Sequence, residues 1–119
     1  MEKAIREIAD LKDEQLSSVC FVADYVELDF NGPILRSIAN PWVTGPDGLR
    51  IQFPNSGSRD ALCRLIHRYV QAIDLREGES LRVDFGDGYQ FVIPLDANSS
   101  YSGENMHFVP YPRKPVQVW

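Results

Sequence analysis

Tyr69-Val-Gln-Ala-Ile-Asp-Leu75, Ser80-Leu-Arg-Val-Asp-Phe85 and Tyr89-Gln-Phe-Val-Ile-Pro-Leu95 are three short runs separated by Arg76-Glu77-Gly78-Glu79 and Gly86-Asp87-Gly88. β-Branched and aromatic residues recur at alternate positions, and each separator supplies glycine where a tight turn needs positive φ. The stretch reads as an antiparallel meander of three strands. Ile73, Leu75, Leu81, Val83, Phe85, Phe91 and Ile93 are its expected core residues. Gly86-Asp87-Gly88 joins two strands, whereas a phosphate cradle needs a helix after it and a lysine. Asp84, Gly86 and Asp87 also lack the glutamate that ends a calcium loop, so a turn accounts for them.

Upstream of the meander, Ser58 can cap a helix, and Leu62, Leu65, Ile66 and Tyr69 recur at helical spacing, with Arg64, His67 and Arg68 off that stripe. The pattern predicts the main α-helix over about 58–68. Trp42-Val-Thr44 and Leu49 to Phe53 flank the turn sequence Gly45-Pro46-Asp47-Gly48, and Ile34 to Ala39 follows the turn Asn31-Gly32-Pro33. Val19 to Phe30 reads as one long strand. Val22, Val26, Leu28 and Phe30 share one parity, while Tyr25, Glu27 and Asp29 share the other.

At the N-terminal end, Ala4, Ile5, Ile8 and Leu11 fall on one side of a short amphipathic helix. Such a helix is too short to stand alone and must dock on something. Downstream, Asp96 to Glu104 is a loop, Met106 to Val109 a short strand, and Val116-Gln-Val-Trp119 resumes an apolar alternation. The expected fold is α+β: a mainly antiparallel β-sheet of about six to eight strands, flat or strongly curved, with one main helix and a short N-terminal helix. One domain, 1–119, is expected, with the N-terminal helix and connector at 1–16 and a sheet-rich core at 19–119.

The 119 residues are 44% hydrophobic and 24% charged, which argues against wholesale disorder and small disulfide scaffolds. Seventeen acidic residues against 12 basic ones leave a net charge of −5. Such a surface repels phosphate backbones and anionic lipid, so neither nucleic acid nor membrane is an expected partner, and a basic protein suits it better. Met1-Glu-Lys-Ala-Ile-Arg-Glu-Ile8 is charged where a signal peptide needs an apolar run. The expected location is cytoplasmic, with Cys20 and Cys63 reduced.

Cys63 and His67 stand four apart on the expected helix, a spacing compatible with metal ligation or a nucleophilic pair, and Cys20 and His107 could complete a ligand set. No Cys-x-x-Cys, His-Glu-x-x-His or Gly-x-Ser-x-Gly pattern accompanies them, and a small hydrophobe beside the core stripe explains Cys63 as well. No cofactor is implied. Asp24, Glu27 and Asp29 form an acidic group on the first strand, suited to acid–base chemistry or Mg²⁺, or to a solvated strand face. Trp42, Tyr101, Tyr111 and Trp119 lie near turns or ends, where they could form an interaction surface or close the sheet.

The runs Asp24-Tyr-Val-Glu-Leu-Asp-Phe30, Ser58-Arg-Asp-Ala-Leu-Cys63 and Glu77-Gly-Glu-Ser-Leu-Arg-Val-Asp-Phe85 resemble a family of small bacterial proteins without assigned activity. So do Glu104-Asn-Met-His-Phe-Val-Pro110 and Val116-Gln-Val-Trp119, giving a resemblance over about residues 19–119. It brings no catalytic residues. Size, charge and sheet-rich pattern are also loosely similar to immunity-type proteins that neutralise toxins. The resulting expectation is a non-enzymatic protein that binds another protein or a second copy of itself. The alternative is a small enzyme or a small-molecule or metal binder, with a pocket near Cys63, His67 and His107.

Overall fold

Alternating apolar residues build ten strands in the computed structural model, which describes residues 4–100, 103–112 and 115–119. The first sheet runs in the order β1 (Ser18–Val22), β2 (Tyr25–Asp29), β3 (Ile34–Ser37), β9 (Met106–Val109), β10 (Gln117–Val118). The second runs β5 (Arg50–Gln52), β4 (Trp42–Thr44), β8 (Gln90–Pro94), β7 (Ser80–Asp84), β6 (Ala72–Arg76). Every pairing is antiparallel, as expected. The expected six to eight strands become ten, in two sheets of five.

Register aligns the apolar side chains in rows that face a shared core. Ile73, Val83, Phe91, Val43 and Ile51 align across the second sheet, and Val19, Leu28, Leu35 and Phe108 across the first. One buried cluster contains residues of both sheets, so the two inner faces pack on each other. Leu81, Val83, Phe85, Phe91 and Ile93 are buried as the meander pattern predicts, while Ile73 and Leu75 are half-buried because β6 is an edge strand.

Three expected elements change shape. The strand read over Val19–Phe30 is a hairpin, with Val22 opposite Tyr25 and a turn at Ala23-Asp24, where Ala23 has φ 45°. The turn moves Phe21 and Val19 to the core side opposite Val26 and Leu28, and takes Val22 off it. The main helix, α1, spans only Ser58–Cys63. Beyond it the chain winds on through Leu65 N–H to Leu62 O, and is then drawn off when His67 N–H bonds Leu16 O. Leu62 and Leu65 keep their buried places, but Tyr69 is 54% exposed.

The N-terminal helix is a single 3-10 turn, Ile8–Leu11. Residues 13–16 instead pair with 67–70: Asp13 N–H bonds Val70 O, Val70 N–H bonds Glu14 O, and Leu16 N–H bonds Arg68 O. Ile5, Ile8, Leu11 and Leu16 are all core residues, so residues 5–16 of the segment set apart at 1–16 are built into the fold. Backbone pairing satisfies more groups than so short a helix could.

These additions also cover open edges. α1 contacts β1, β4 and β5, bridging the sheets on one side, and the 3-10 turn contacts edge strand β6 on the other. Leu11 is completely buried, so Leu11→Ala is expected to lose about 2–5 kcal/mol in urea unfolding. A loss near zero would show that the N-terminal segment is dispensable.

Two of the second sheet's three hairpin turns, β4–β5 and β7–β8, touch. A Cβ on Gly88 (φ +85°) would sit 2.9 Å from Pro46 Cα, whereas Gly78 (φ +75°) has nothing within 4 Å. Gly78→Ala should therefore lose about 1–2 kcal/mol from backbone strain alone, and Gly88→Ala at least about 1 kcal/mol more from the clash. Equal shifts in the urea midpoint would refute that contact.

Candidate functional site

On the outer face of the first sheet, register places Glu27 opposite Arg36 and Arg36 opposite His107. Arg36 Nε donates to Glu27 Oε2 at 2.7 Å, and Arg36 Nη1 lies 3.0 Å from His107 Nδ1. A guanidinium only donates, so Nδ1 must accept, and the proton of the neutral ring sits on Nε2. That nitrogen faces Glu104 Oε2 at 3.2 Å. Side-chain exposures of 24% for Arg36, 18% for Glu27 and 17% for His107 partly shelter the centre of the row, while Glu104 at its end is 45% exposed. Its chemistry is that of a matched network, in which each group has its partner.

Tyr25 connects the row to a cleft. Its ring centroid lies 5.8 Å from Arg36 Cζ, and it lines an open cavity of about 700 Å³. The β1–β2 turn supplies Ala23 and Asp24, and the chain after β3 supplies Ile38, Ala39 and Asn40. Phe53 and Pro54 follow β5, Arg59 comes from α1, and Ser99 and Ser100 come from the turn beyond β8. Phe53 stacks on Phe21 at 5.9 Å, and Arg59 Cζ lies 5.1 Å and 5.6 Å from their two centroids. The aromatic pair holds the guanidinium by cation–π attraction. Among the described residues, neither the Arg59 guanidinium nor the Asp24 carboxylate has a hydrogen-bond or ion-pair partner.

The remaining sequence candidates are dispersed. Cys63 ends α1 and is exposed rather than beside the core, because Ser58 and Leu62 take the buried side of that short helix. His67, at φ 77°, lies past the helix, so the i,i+4 geometry expected for Cys63 and His67 is not formed. His107 belongs to the charged row, and Cys20 is an exposed thiol on β1. Among the described residues no group of three or more His, Cys, Asp or Glu is placed to hold a metal ion.

Asp29 Oδ1 accepts from Gly32 N–H in the turn, leaving Glu27 to the row and Asp24 to the cleft. Trp42 lies under the Arg50 guanidinium at 3.6 Å, Tyr111 bridges Ile5, and Trp119 Nε1 donates to Glu77. Tyr101 lies outside the described residues. Sequence reasoning missed Arg36, and saw in Arg59 only a cation of the helix that carries Cys63, not a group of the cleft. Arg36 was within reach of such reasoning: closing the Asn31-Gly32-Pro33 turn sets a charged residue inside an apolar strand against Glu27.

No family model, curated protein or solved structure matches this chain. Among the described residues no helix is long and apolar enough to cross a membrane.

Replacing Arg36 with Met strands a partly buried carboxylate and removes the donor to Nδ1. Arg36→Met should cost on the order of 1–3 kcal/mol in stability, with coupling to Glu27→Gln of about 1 kcal/mol in a double-mutant cycle. Long-range ¹H–¹⁵N spectra should show neutral His107 as the Nε2–H tautomer, with that preference weakened in the variant. An Nδ1–H tautomer in the parent protein would contradict the geometry.

Proposed function

We propose that this chain is a non-enzymatic binding protein that engages a protein partner, as immunity-type proteins do, through the cleft between the β1–β2 turn, the β3–β4 link and α1. The observation that carries this reading is the pair Asp24 and Arg59. Two opposite, unpaired charges line one cleft of about 700 Å³ over an apolar floor. Unpaired, ring-supported charge in a concavity is recognition chemistry, because a partner supplies the hydrogen bonds that the fold withholds. The lining offers hydroxyls, an amide and charges, with no histidine or cysteine beside Ser99 or Ser100 to activate a nucleophile. The net charge of −5 favours a partner that is basic overall.

A second reading, a small-molecule binder, draws on the cavity's volume, which falls in the range of ligand pockets. Affinity capture with quantitative mass spectrometry, run beside light scattering, separates the two. Asn40 is exposed at the cleft wall, so Asn40→Trp fills the site without entering the core. The partner reading expects one protein, or a second copy of this chain, to bind the parent about tenfold more tightly than the variant, or about 1.4 kcal/mol. Equal capture by both, or thermal stabilisation by a metabolite with no protein partner, would overturn it.

A further inference from the structure

We propose that the ligand recognised in this cleft is a peptide segment carrying one cationic side chain and one carboxylate, Arg59 binding the carboxylate and Asp24 the cation. The inference rests on the cleft being the partner site and specifies the chemistry recognised there. Arg59 holds its guanidinium beside Phe53 and Phe21 without spending an N–H on either ring, which leaves its fork of donors for a planar, two-oxygen acceptor. Asp24 sits in an exposed turn on the same cleft, and the two make no ion pair with each other. Each therefore stays hydrated until a ligand arrives.

A purely anionic ligand would meet Asp24 and the protein's net charge of −5, and a purely cationic one would meet Arg59. Only a ligand bearing both signs satisfies both groups. A peptide fits the remainder: Ile38, Ala39 and Pro54 offer apolar contact, and Asn40, Ser99 and Ser100 can bond backbone amides. The volume, about 700 Å³, accommodates several residues rather than a single amino acid.

The test is an NMR titration of the ¹⁵N-labelled full chain with end-capped peptides in which lysine and aspartate are separated by one, two or three valines. Matched peptides carry asparagine for aspartate or glutamine for lysine. One spacing of the dipolar peptide should shift amides of residues 23–25, 38–40 and 99–100 saturably. Its affinity should fall on the order of tenfold on losing either charge. Arg59→Gln should abolish discrimination between aspartate and asparagine while keeping that between lysine and glutamine, and Asp24→Asn should do the reverse. Arg59→Lys, which keeps charge without the fork, should fall between.

Both residues are exposed, so neither substitution enters the core, and an ¹H–¹⁵N spectrum of each variant is the check that the fold is kept. Equal binding of all the peptides, saturable binding of none, or retained discrimination in Arg59→Gln would overturn the proposal. A captured partner weakened by Asn40→Trp but by neither Arg59→Gln nor Asp24→Asn would overturn this charge pairing and leave the partner reading standing. If Asn40→Trp weakens no partner, the partner reading fails, whereas the peptide titration still decides the charge pairing.

Discussion

The buried amide of Asn105 ties the two sheets together, and the cleft depends on it. Its side-chain Nδ2 donates to Pro94 O and Asp96 O, both at 3.1 Å, at the end of β8. Its backbone carbonyl accepts from Ile38 and Ala39 N–H, both at 2.9 Å, where the chain leaves β3 for the other sheet. Its own N–H bonds Trp119 O at 2.6 Å. These are backbone groups at crossing points, where neither sheet's ladder can reach them, and a buried unpaired group there would cost more than an ordinary hydrogen bond contributes. Ile38 to Asn40 and the turn at 97–100 are opposite ends of that clamp, and both supply the cleft. The site's shape is thus a consequence of how the crossings are satisfied.

Two stacked sheets of five strands also leave four edges, and unpaired edges invite non-specific pairing. On the β1 and β5 side, α1 lies across both strands and brings Arg59 with it. On the β6 and β10 side, the 3-10 turn and Trp119 border an apolar groove with Ile73 and Leu75, and Trp119 is fixed by Glu77. The covering of the first pair of edges is therefore what delivers a cation to the cleft. Structural necessity and the candidate site share one helix of six residues.

Local signals in the chain announce local structure well. The meander was legible because Gly78, Gly86 and Gly88 all adopt positive φ and β6 and β7 alternate, although β8 is buried throughout Phe91–Pro94. The strand Met106–Val109 was legible from its alternation alone. The break at Ala23-Asp24 was not, because alanine gives no turn signal and its φ of 45° is imposed by the pairing of Phe21 with Val26 and Val22 with Tyr25. The N-terminal stripe told correctly that Ile5, Ile8 and Leu11 are buried, yet the helix is cut to one turn between the backbone pairing of Ile5 with Tyr111 and that of residues 13–16 with 67–70. The division into two sheets depends on long-range pairing of β3 with β9 and β4 with β8, which no window of sequence contains. For the site, Asp24, Glu27 and His107 stood out by residue type. Their partition between a network and a cleft came from register.

That partition is the strongest physical support for the proposed binding site. In the row, Glu27, Arg36, His107 and Glu104 answer one another, so a ligand approaching there would have to displace bonds already formed in a sheltered setting. In the cleft, Asp24 and Arg59 hold positions fixed by a hairpin turn and an aromatic pair, with only water to displace. Binding free energy is the difference between these two starting points, and it favours the group whose bonds are unmade but whose geometry is set. Tyr25 lies between the two, with its ring near Arg36 and its side in the cleft wall. The matched row thereby braces the strand that carries Tyr25, with Glu27 a member of the row, while Asp29 is spent on the Gly32 N–H in the β2–β3 turn at that strand's far end.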